Sequence, residues 1–284
     1  MSVVLNPGHT DRLVVRTERH GRDVIRKQYR DDSGEAIHRA MEALWMSPFG
    51  AVRGGPGLPE PIGYDRATRT LDMAVVDGPP LGTRGTVGVL PTLLGDVAGL
   101  IADLHASDVR VDRRRTPDKL LRSLRRKLDD DPRGLIQRIA VRAPSGESLC
   151  PNHGDFSPRN VLVAATGPTL IDFDRIQMAG PGRDVQYMAA WCWVTAVLNG
   201  TRTVEDAWDL GAAFEQAYLE ARPEAARDIH DGRPFHRASG LVRIATEWSS
   251  MKTNPEAAAL VLDQVEALLH RTTRADNNTD DHPT

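Results

Sequence analysis

The stretch from Asn152 to Asp174 constrains the chain most, because the helical periodicity on either side of it stops there. A polar run, His153-Gly154-Asp155-Phe156-Ser157-Pro158-Arg159-Asn160, leads into a short β-branched run, Val161-Leu162-Val163. Gly167-Pro168 supplies turn chemistry, and Leu170-Ile171 then leads into Asp172-Phe173-Asp174. Two strands joined by so short a turn return antiparallel, so Asp172 is expected beside Asn160. Asp155 and Asn160, five apart in a tight loop, can point into one site. Three oxygen donors from two adjacent segments then converge.

Such a set suits phosphoryl transfer. One carboxylate orients an acceptor hydroxyl and takes its proton, while a second carboxylate and an amide oxygen hold Mg²⁺ against a triphosphate. The pattern His-Gly-Asp-x-x-x-x-Asn followed by Ile-Asp-Phe-Asp resembles the aminoglycoside phosphotransferase and choline kinase family, which shares the protein-kinase-like fold. The resemblance implies that Asp155 is the catalytic base and that Asn160 and Asp172 are magnesium ligands, with His153 buttressing the loop. Asp174 stands where protein kinases usually carry the glycine of Asp-Phe-Gly, and a second metal contact or a hydrogen bond to the loop is implied for it. Gly182-Arg183-Asp184 matches a later family motif, so Asp184 is expected to support the catalytic-loop backbone, with a helix cap as the other role open to it. Leu104-His105-Ala106 is similar to the family's signature after the first helix beyond the strands, where His105 reads as a core or capping histidine.

The N-terminal half reads as strands and one helix. Val3 to Leu5, Leu13 to Val15 and Asp23 to Tyr29 are strand-like, with turn residues at Asn6 to His9 and Glu18 to Gly21. Ser33 can cap a helix in which Ile37, Met41, Leu44 and Trp45 recur at helical spacing. Ile62 to Tyr64 and Leu71 to Val76 add two strands before the break at Asp77-Gly78-Pro79-Pro80. Under the resemblance, Lys27 neutralises the α- and β-phosphates of the nucleotide and pairs with Glu42 in the helix, Glu35 being the competing partner. Gly8 then marks the nucleotide loop, and the backbone near Val75 to Asp77 is the hinge that bonds the base.

Beyond the break, helices are expected at about 93–105, 117–128, 184–198, 204–221, 235–251 and 255–270. The implied fold class is α+β: a two-lobed, protein-kinase-like fold with a small β-rich N-lobe over residues 1–77 and a mainly helical C-lobe over 78–271. The polar tail, 272–284, is expected to be disordered. Trp191, Trp193, Trp208 and Trp248 suit either a core or a substrate cleft.

Composition limits the partners. The net charge of −3 does not suit a nucleic-acid-binding surface, and no apolar run reaches a spanning length, so neither nucleic acid nor membrane is expected as a partner. No secretory signal is visible at Met1 to Asn6, so a cytoplasmic protein is expected, and Cys150 and Cys192 read as buried free thiols. Only about ten positions separate Asp174 from Asp184, and no Ala-Pro-Glu segment follows, which leaves no platform for a peptide. The expected partner is a small-molecule hydroxyl acceptor, such as an antibiotic or related natural product. The expected cofactors are Mg²⁺ and ATP, with GTP also open as donor and both monomer and dimer open as assemblies. Glu205, Asp206, Asp209, Glu215, Glu220 and Glu247 suit a polycationic acceptor or an ordinary acidic surface. Residues 110–142 carry +7, which suits a solvated helix face or an interface. The alternative reading of the whole chain is a kinase-like nucleotide-binding regulator or partner protein with weak catalysis.

Overall fold

Residues 3–6, 12–50, 57–82, 90–128, 131, 133–251 and 254–277 are described by a computed structural model. The β-branched runs of the N-terminal half pair as expected. Strands β1 (Val3–Val4), β2 (Arg12–Arg19), β3 (Arg22–Tyr29), β4 (Pro61–Asp65) and β5 (Thr70–Ala74) form an antiparallel sheet in the order β1-β2-β3-β5-β4. His20 and Gly21, both at positive φ, make the two-residue turn between β2 and β3. The register sets Val14 opposite Lys27 and Lys27 opposite Leu71. Alternation then puts Arg12, Val14, Lys27 and Tyr29 on one face.

Helix α1 (Ser33–Trp45) buries Gly34, Ile37, Ala40, Met41 and Leu44, the stripe that its periodicity predicts. Ser33 is not its cap. The Asp31 carboxylate instead accepts from the Ser33 N–H at 3.1 Å, just ahead of the helix. After β5 the chain passes Gly78, which has φ +146°, and a Cβ there would lie 2.5 Å from the Val163 carbonyl oxygen. This close approach lets the Leu81 N–H donate to Val161 O at 2.8 Å and the Val163 N–H donate to Pro79 O at 2.9 Å.

Helices α2 (Leu90–Ala106), α3 (Pro117–Arg125) and α4 (Leu135–Ala140) follow. The buried His105 lies in the last turn of α2. Then come β6 (Cys150–Asn152), β7 (Val161–Ala164), β8 (Gly167–Leu170) and β9 (Gln177–Ala179). Helices α5 (Gly182–Leu198), α6 (Trp208–Ala221), α7 (Ala226–Met251) and α8 (Pro255–Asn277) complete the described chain. Helix α7 runs through Pro234, where the sequence suggested a start at Phe235. Proline removes one hydrogen bond, but Ile229, Phe235, Ala238, Leu241 and Val242 are all buried on the two sides of it, and their packing carries the helix across. The stretch expected to be a disordered tail from Thr272 is helical as far as Asn277, and 278–284 lie outside the described residues.

The chain forms two compact units, one of residues 1–113 with 150–178 and the other of 114–149 with 179–284. This grouping differs from the lobes read at residue 77, because Pro79 and Leu81 bond to β7 and so join the strands on either side of the break. The first unit holds the five-stranded sheet, α1, α2 and the β7–β8 hairpin. The second holds α3 to α8 around Trp193, which is fully buried and stacks on Trp208 at 5.7 Å, while Trp191 meets Trp248 edge-on at 5.8 Å. These four tryptophans pack with or against that core. Cys150 and Cys192 are buried free thiols, and burial pushes the Cys192 thiol up to about 12.

Gly78→Ala is expected to destabilise the protein by roughly 1–3 kcal/mol, through backbone strain and the clash with Val163. Gly95→Ala, in α2 where an added Cβ meets nothing within 4 Å, is expected to stabilise by about 0.5–1 kcal/mol. Urea unfolding of the two variants tests the opposite signs.

Candidate active site

The loop after β6 owes its path to Gly154. Its φ is +79°, and a Cβ would run into the Arg175 carbonyl and lie 2.8 Å from Gln177 Nε2. Any side chain here would separate the His153–Asp155 segment from Arg175. Pro158–Asn160 then forms a 3-10 turn closed by the Asn160 N–H on Ser157 O at 2.9 Å. The Asn160 amide nitrogen donates to Asp155 O at 2.9 Å, which leaves Oδ1 as the acceptor end of that side chain.

Val161 pairs with Leu170 across the hairpin, and the Ile171 N–H donates to Asn160 O at 2.9 Å. That bond continues the ladder and sets Asp172 one residue beyond the partner of Asn160. His153 binds both segments. Its Nδ1 accepts from the Asp155 N–H at 3.3 Å and its Nε2 meets Ile171 O at 2.8 Å, a pattern that requires the tautomer protonated on Nε2. Phe173 packs edge-on against the imidazole at 4.9 Å between centroids.

Asp172 has φ +65°, unusual for a residue with a side chain. Its carboxylate meets Lys27 Nζ at 2.5 Å and Arg12 at 3.3 Å. Burial alone would raise its pKa, but Lys27 and Arg12 hold it well below the usual carboxylate range. Asp174 meets Lys27 at 3.1 Å and Arg12 at 2.5 Å, and it accepts from the Tyr29 hydroxyl at 2.9 Å. The Tyr29 hydroxyl is pushed above its ordinary pKa by burial and then by Asp174. Burial pulls the Arg12 guanidinium down, yet Asp172 and Asp174 together raise it above its ordinary value.

Several expected partners are not brought together. Glu42 is 54% exposed and pairs with His38 at 3.4 Å, not with Lys27. The buried stripe of α1 explains this, since Glu42 follows Met41 and lies off that stripe. Glu35 pairs with Arg66 and with Arg39, so neither glutamate reaches Lys27. Gly8 lies outside the described residues. Asn6, which precedes it, donates to Arg12 O at 2.9 Å and accepts from the Val14 N–H at 2.8 Å. Val75 and Asp77 follow β5, and no backbone hydrogen bond among the described residues uses Val75, Val76 or Asp77. Asp184 is buried in the first turn of α5.

Arg12 and Tyr29 were not singled out from the sequence, although period-2 alternation puts both on the face of Lys27. Arg159 and Arg175 were also missed, and they lie 3.7 and 3.9 Å from the carboxylate of Asp155. Among the described residues no group of three or more His, Cys, Asp or Glu side chains could hold a metal. The oxygen donors of Asp172 and Asn160 do suit Mg²⁺, which keeps several waters and uses one or two carboxylates with substrate phosphates.

Residues 3–227 match the family model described as the phosphotransferase enzyme family. The chain belongs to that family. No curated protein matches it. Solved structures of similar fold include a choline/ethanolamine kinase family protein from Mesorhizobium loti, with 15% identity, TM-score 0.63, and coverage of 94% of this chain and 88% of that one. The macrolide 2'-phosphotransferase MphH from Brachybacterium faecium gives 18%, 0.56, 92% and 91% in the same order. The choline kinase LicA from Streptococcus pneumoniae gives 11%, 0.63, 95% and 94%, and a LicA in complex with AMP gives 12%, 0.59, 95% and 93%. The phosphotransferase therefore has the two-lobed, protein-kinase-like fold, with an antiparallel N-lobe sheet and a helical C-terminal part.

Asp174 is the best test of the charged cluster. Asp174→Ala leaves Lys27 and Arg12 to share Asp172 alone and is expected to cost about 3 kcal/mol of stability. Tyr29→Phe removes one hydrogen bond and is expected to cost about 1 kcal/mol. Chemical denaturation of the single and double variants should show that the double loses less than the sum.

Proposed function

We propose that this phosphotransferase moves the γ-phosphate of ATP to a hydroxyl of a small molecule, with Asp155 as the base. The observation that carries the reading is the joining of two segments. His153 and Asn160 each bond to the Asp155 segment and to Ile171, so the three oxygen donors are fixed by the same hydrogen bonds. Catalysis of this reaction is largely positioning and charge stabilisation, and that is what a rigid loop supplies.

Asp155 accepts the hydroxyl proton as the acceptor oxygen attacks. Asp172 and Asn160 Oδ1 are the oxygen donors for Mg²⁺, which when bound neutralises charge on the phosphates and helps align them. Lys27, buried and adjacent to Asp172, is the cation for the phosphate chain. His153 and Asp184 are supporting residues, and Asp174 positions Lys27. The backbone of Val75 to Asp77 is suited to the base. The AMP bound to LicA supports a nucleotide as the donor.

The acceptor is small, because β9 and α5 follow the Asp172 segment directly. A hydroxylated natural product, an antibiotic among them, is the class we favour, and the family neighbours that act on macrolides and choline support it. Among the described residues no helix is long and apolar enough to cross a membrane. We place the activity in the cytoplasm, where ATP and magnesium are available. The pairing of Lys27 with Asp172 and Asp174 rather than Glu42 favours one second reading, a nucleotide-binding regulator.

Asp155→Ala is expected to retain ATP binding and to lose turnover by about 10²- to 10⁴-fold. Asp172→Ala is expected to abolish the magnesium-dependent part of nucleotide affinity, read by calorimetry with and without chelator. Wild-type protein that binds MgATP but forms no phosphorylated product with any acceptor would favour the regulator.

A further inference from the structure

We propose that Arg12 is a second phosphate-binding cation and that it engages the γ-phosphate, so that the site tells a nucleoside triphosphate from a diphosphate. This rests on the reading of Lys27 as a phosphate cation and of Val75 to Asp77 as the backbone that holds the base. All of these residues belong to the first compact unit. The strand register orders them along one sheet. Ala74, the last residue of β5, lies opposite Val24 of β3, and Leu71 lies opposite Lys27. Lys27 is therefore three residues along β3 from the end where Val75 to Asp77 leave the sheet, roughly 10 Å at the rise of a strand. Arg12 lies opposite Tyr29, two residues or about 7 Å farther from that end. Alternation puts Arg12 and Lys27 on the same face. A nucleotide with its base at Val75 to Asp77 and its phosphates along this face meets Lys27 first and Arg12 after it.

The charged ends of the two side chains fit that order. Lys27 Nζ meets Oδ1 of Asp172 at 2.5 Å and Oδ1 of Asp174 at 3.1 Å. Arg12 meets the other oxygen of each acid, Oδ2 of Asp172 at 3.3 Å and Oδ2 of Asp174 at 2.5 Å. The two cations thus take opposite oxygens of the same carboxylates. The Lys27 side chain is 8% exposed and the Arg12 side chain 33%. A guanidinium carries five N–H donors in a planar fork. Nη2 serves Asp172 and Nη1 serves Asp174, one contact each among the described residues. Arg12 can therefore hold both acids and still present an N–H group to a phosphate oxygen.

Charge balance points the same way. Lys27 with the two acids alone would form a net negative cluster, which repels a polyphosphate. Arg12 brings the cluster to neutrality. Guanidinium also matches phosphate oxygens in pairs, as an ammonium cannot. ADP lacks the group that Arg12 engages. It is held by fewer cations than ATP, which favours binding of the donor over retention of the spent nucleotide.

The test uses the full chain and calorimetry, with magnesium present and three nucleotides: AMP, ADP and the non-hydrolysable ATP analogue AMP-PNP. In Arg12→Gln the affinities for AMP and ADP are expected to stay within about twofold of wild type, while that for AMP-PNP falls roughly 10- to 100-fold, as for a lost hydrogen bond to a charged group. In Lys27→Gln, ADP and AMP-PNP are expected to weaken together. Arg12→Lys keeps a cation for the two acids and gives up the planar fork, so its preference for AMP-PNP over ADP is expected to drop several-fold. That variant carries the test if Arg12→Gln does not fold. An equal change for all three nucleotides in the Arg12 variants, or no change, would overturn the proposal and leave Arg12 only to hold the hairpin to the sheet. Wild-type protein that binds ADP and AMP-PNP equally well would overturn it too. Wild-type protein that binds none of the three would instead sink the phosphotransferase reading beneath it.

Discussion

Two carboxylates and two cations hold the five-stranded sheet to the hairpin that carries Asp172. Lys27 and Arg12 come from neighbouring strands, and Asp172 and Asp174 from the turn after β8. Each cation meets both acids, so removal of any one member leaves its partners poorly compensated. Taking charges out of water is costly, and a buried pair often contributes little net stability. What the cluster supplies is position. It fixes the distance between the Lys27 ammonium and the Asp172 carboxylate.

Much of this was legible in the residues, for a physical reason. A hairpin with a two-residue turn has one register, so the spacing from Asn160 to Asp172 fixes which backbone groups face each other. The turn itself falls at Ala165-Thr166, with Gly167 and Pro168 already in the strand, so the facing of Asn160 and the Ile171 segment comes from that turn and not from one centred on Gly167-Pro168. The need for glycine at 154 was not legible, because the Arg175 carbonyl that excludes a Cβ comes from a segment distant in sequence. The Lys27–Glu42 pair was not, because helix periodicity tells which residues are buried but not which charged neighbour a long lysine will take. Arg12 was hidden for a related reason. It is one of many arginines, and only the register opposite Tyr29 gives it a place on the face of Lys27. Helix α4 escaped because six residues carry little periodicity. Its start is made by the Asp131 carboxylate, which accepts from the Leu135 and Ile136 N–H groups at 2.8 Å each.

Charge is arranged differently in the two units. In the second, Glu215 accepts from Gln186 at 2.6 Å and meets Arg233 and Arg237, and the Arg237 guanidinium lies 4.5 Å from the centre of the Trp208 ring. Burial lowers Arg237 to about 10, so this network is there to satisfy a buried cation and a buried anion together. In the first unit the guanidinium groups near Asp155 stand farther from their carboxylate and remain half exposed. A structural pair closes to hydrogen-bonding distance where it can. The pairs at Asp155 are longer and at the surface, where solvent screens them.

The Asp-Phe-Asp tripeptide shows how a local conformation produces both the cluster and the loop. The left-handed setting of Asp172 turns the chain out of β8, and Phe173–Arg175 then forms a 3-10 turn. In an extended strand Asp172 and Asp174 would share a face, and Phe173 would take the other. The turn preserves that division over a shorter rise, so both acids reach Lys27 while Phe173 is buried against His153. His153 in turn orders the Asp155 N–H and Ile171 O. The same three residues therefore anchor the sheet on one side and the Asp155 loop on the other. Glycine at the third position would keep the turn and lose the anchor, since Arg12, Lys27 and the buried Tyr29 hydroxyl would give up a shared acceptor. An acid at this position is thus tied to the two strands that supply Arg12, Lys27 and Tyr29, and the third residue of the tripeptide is best understood with those strands.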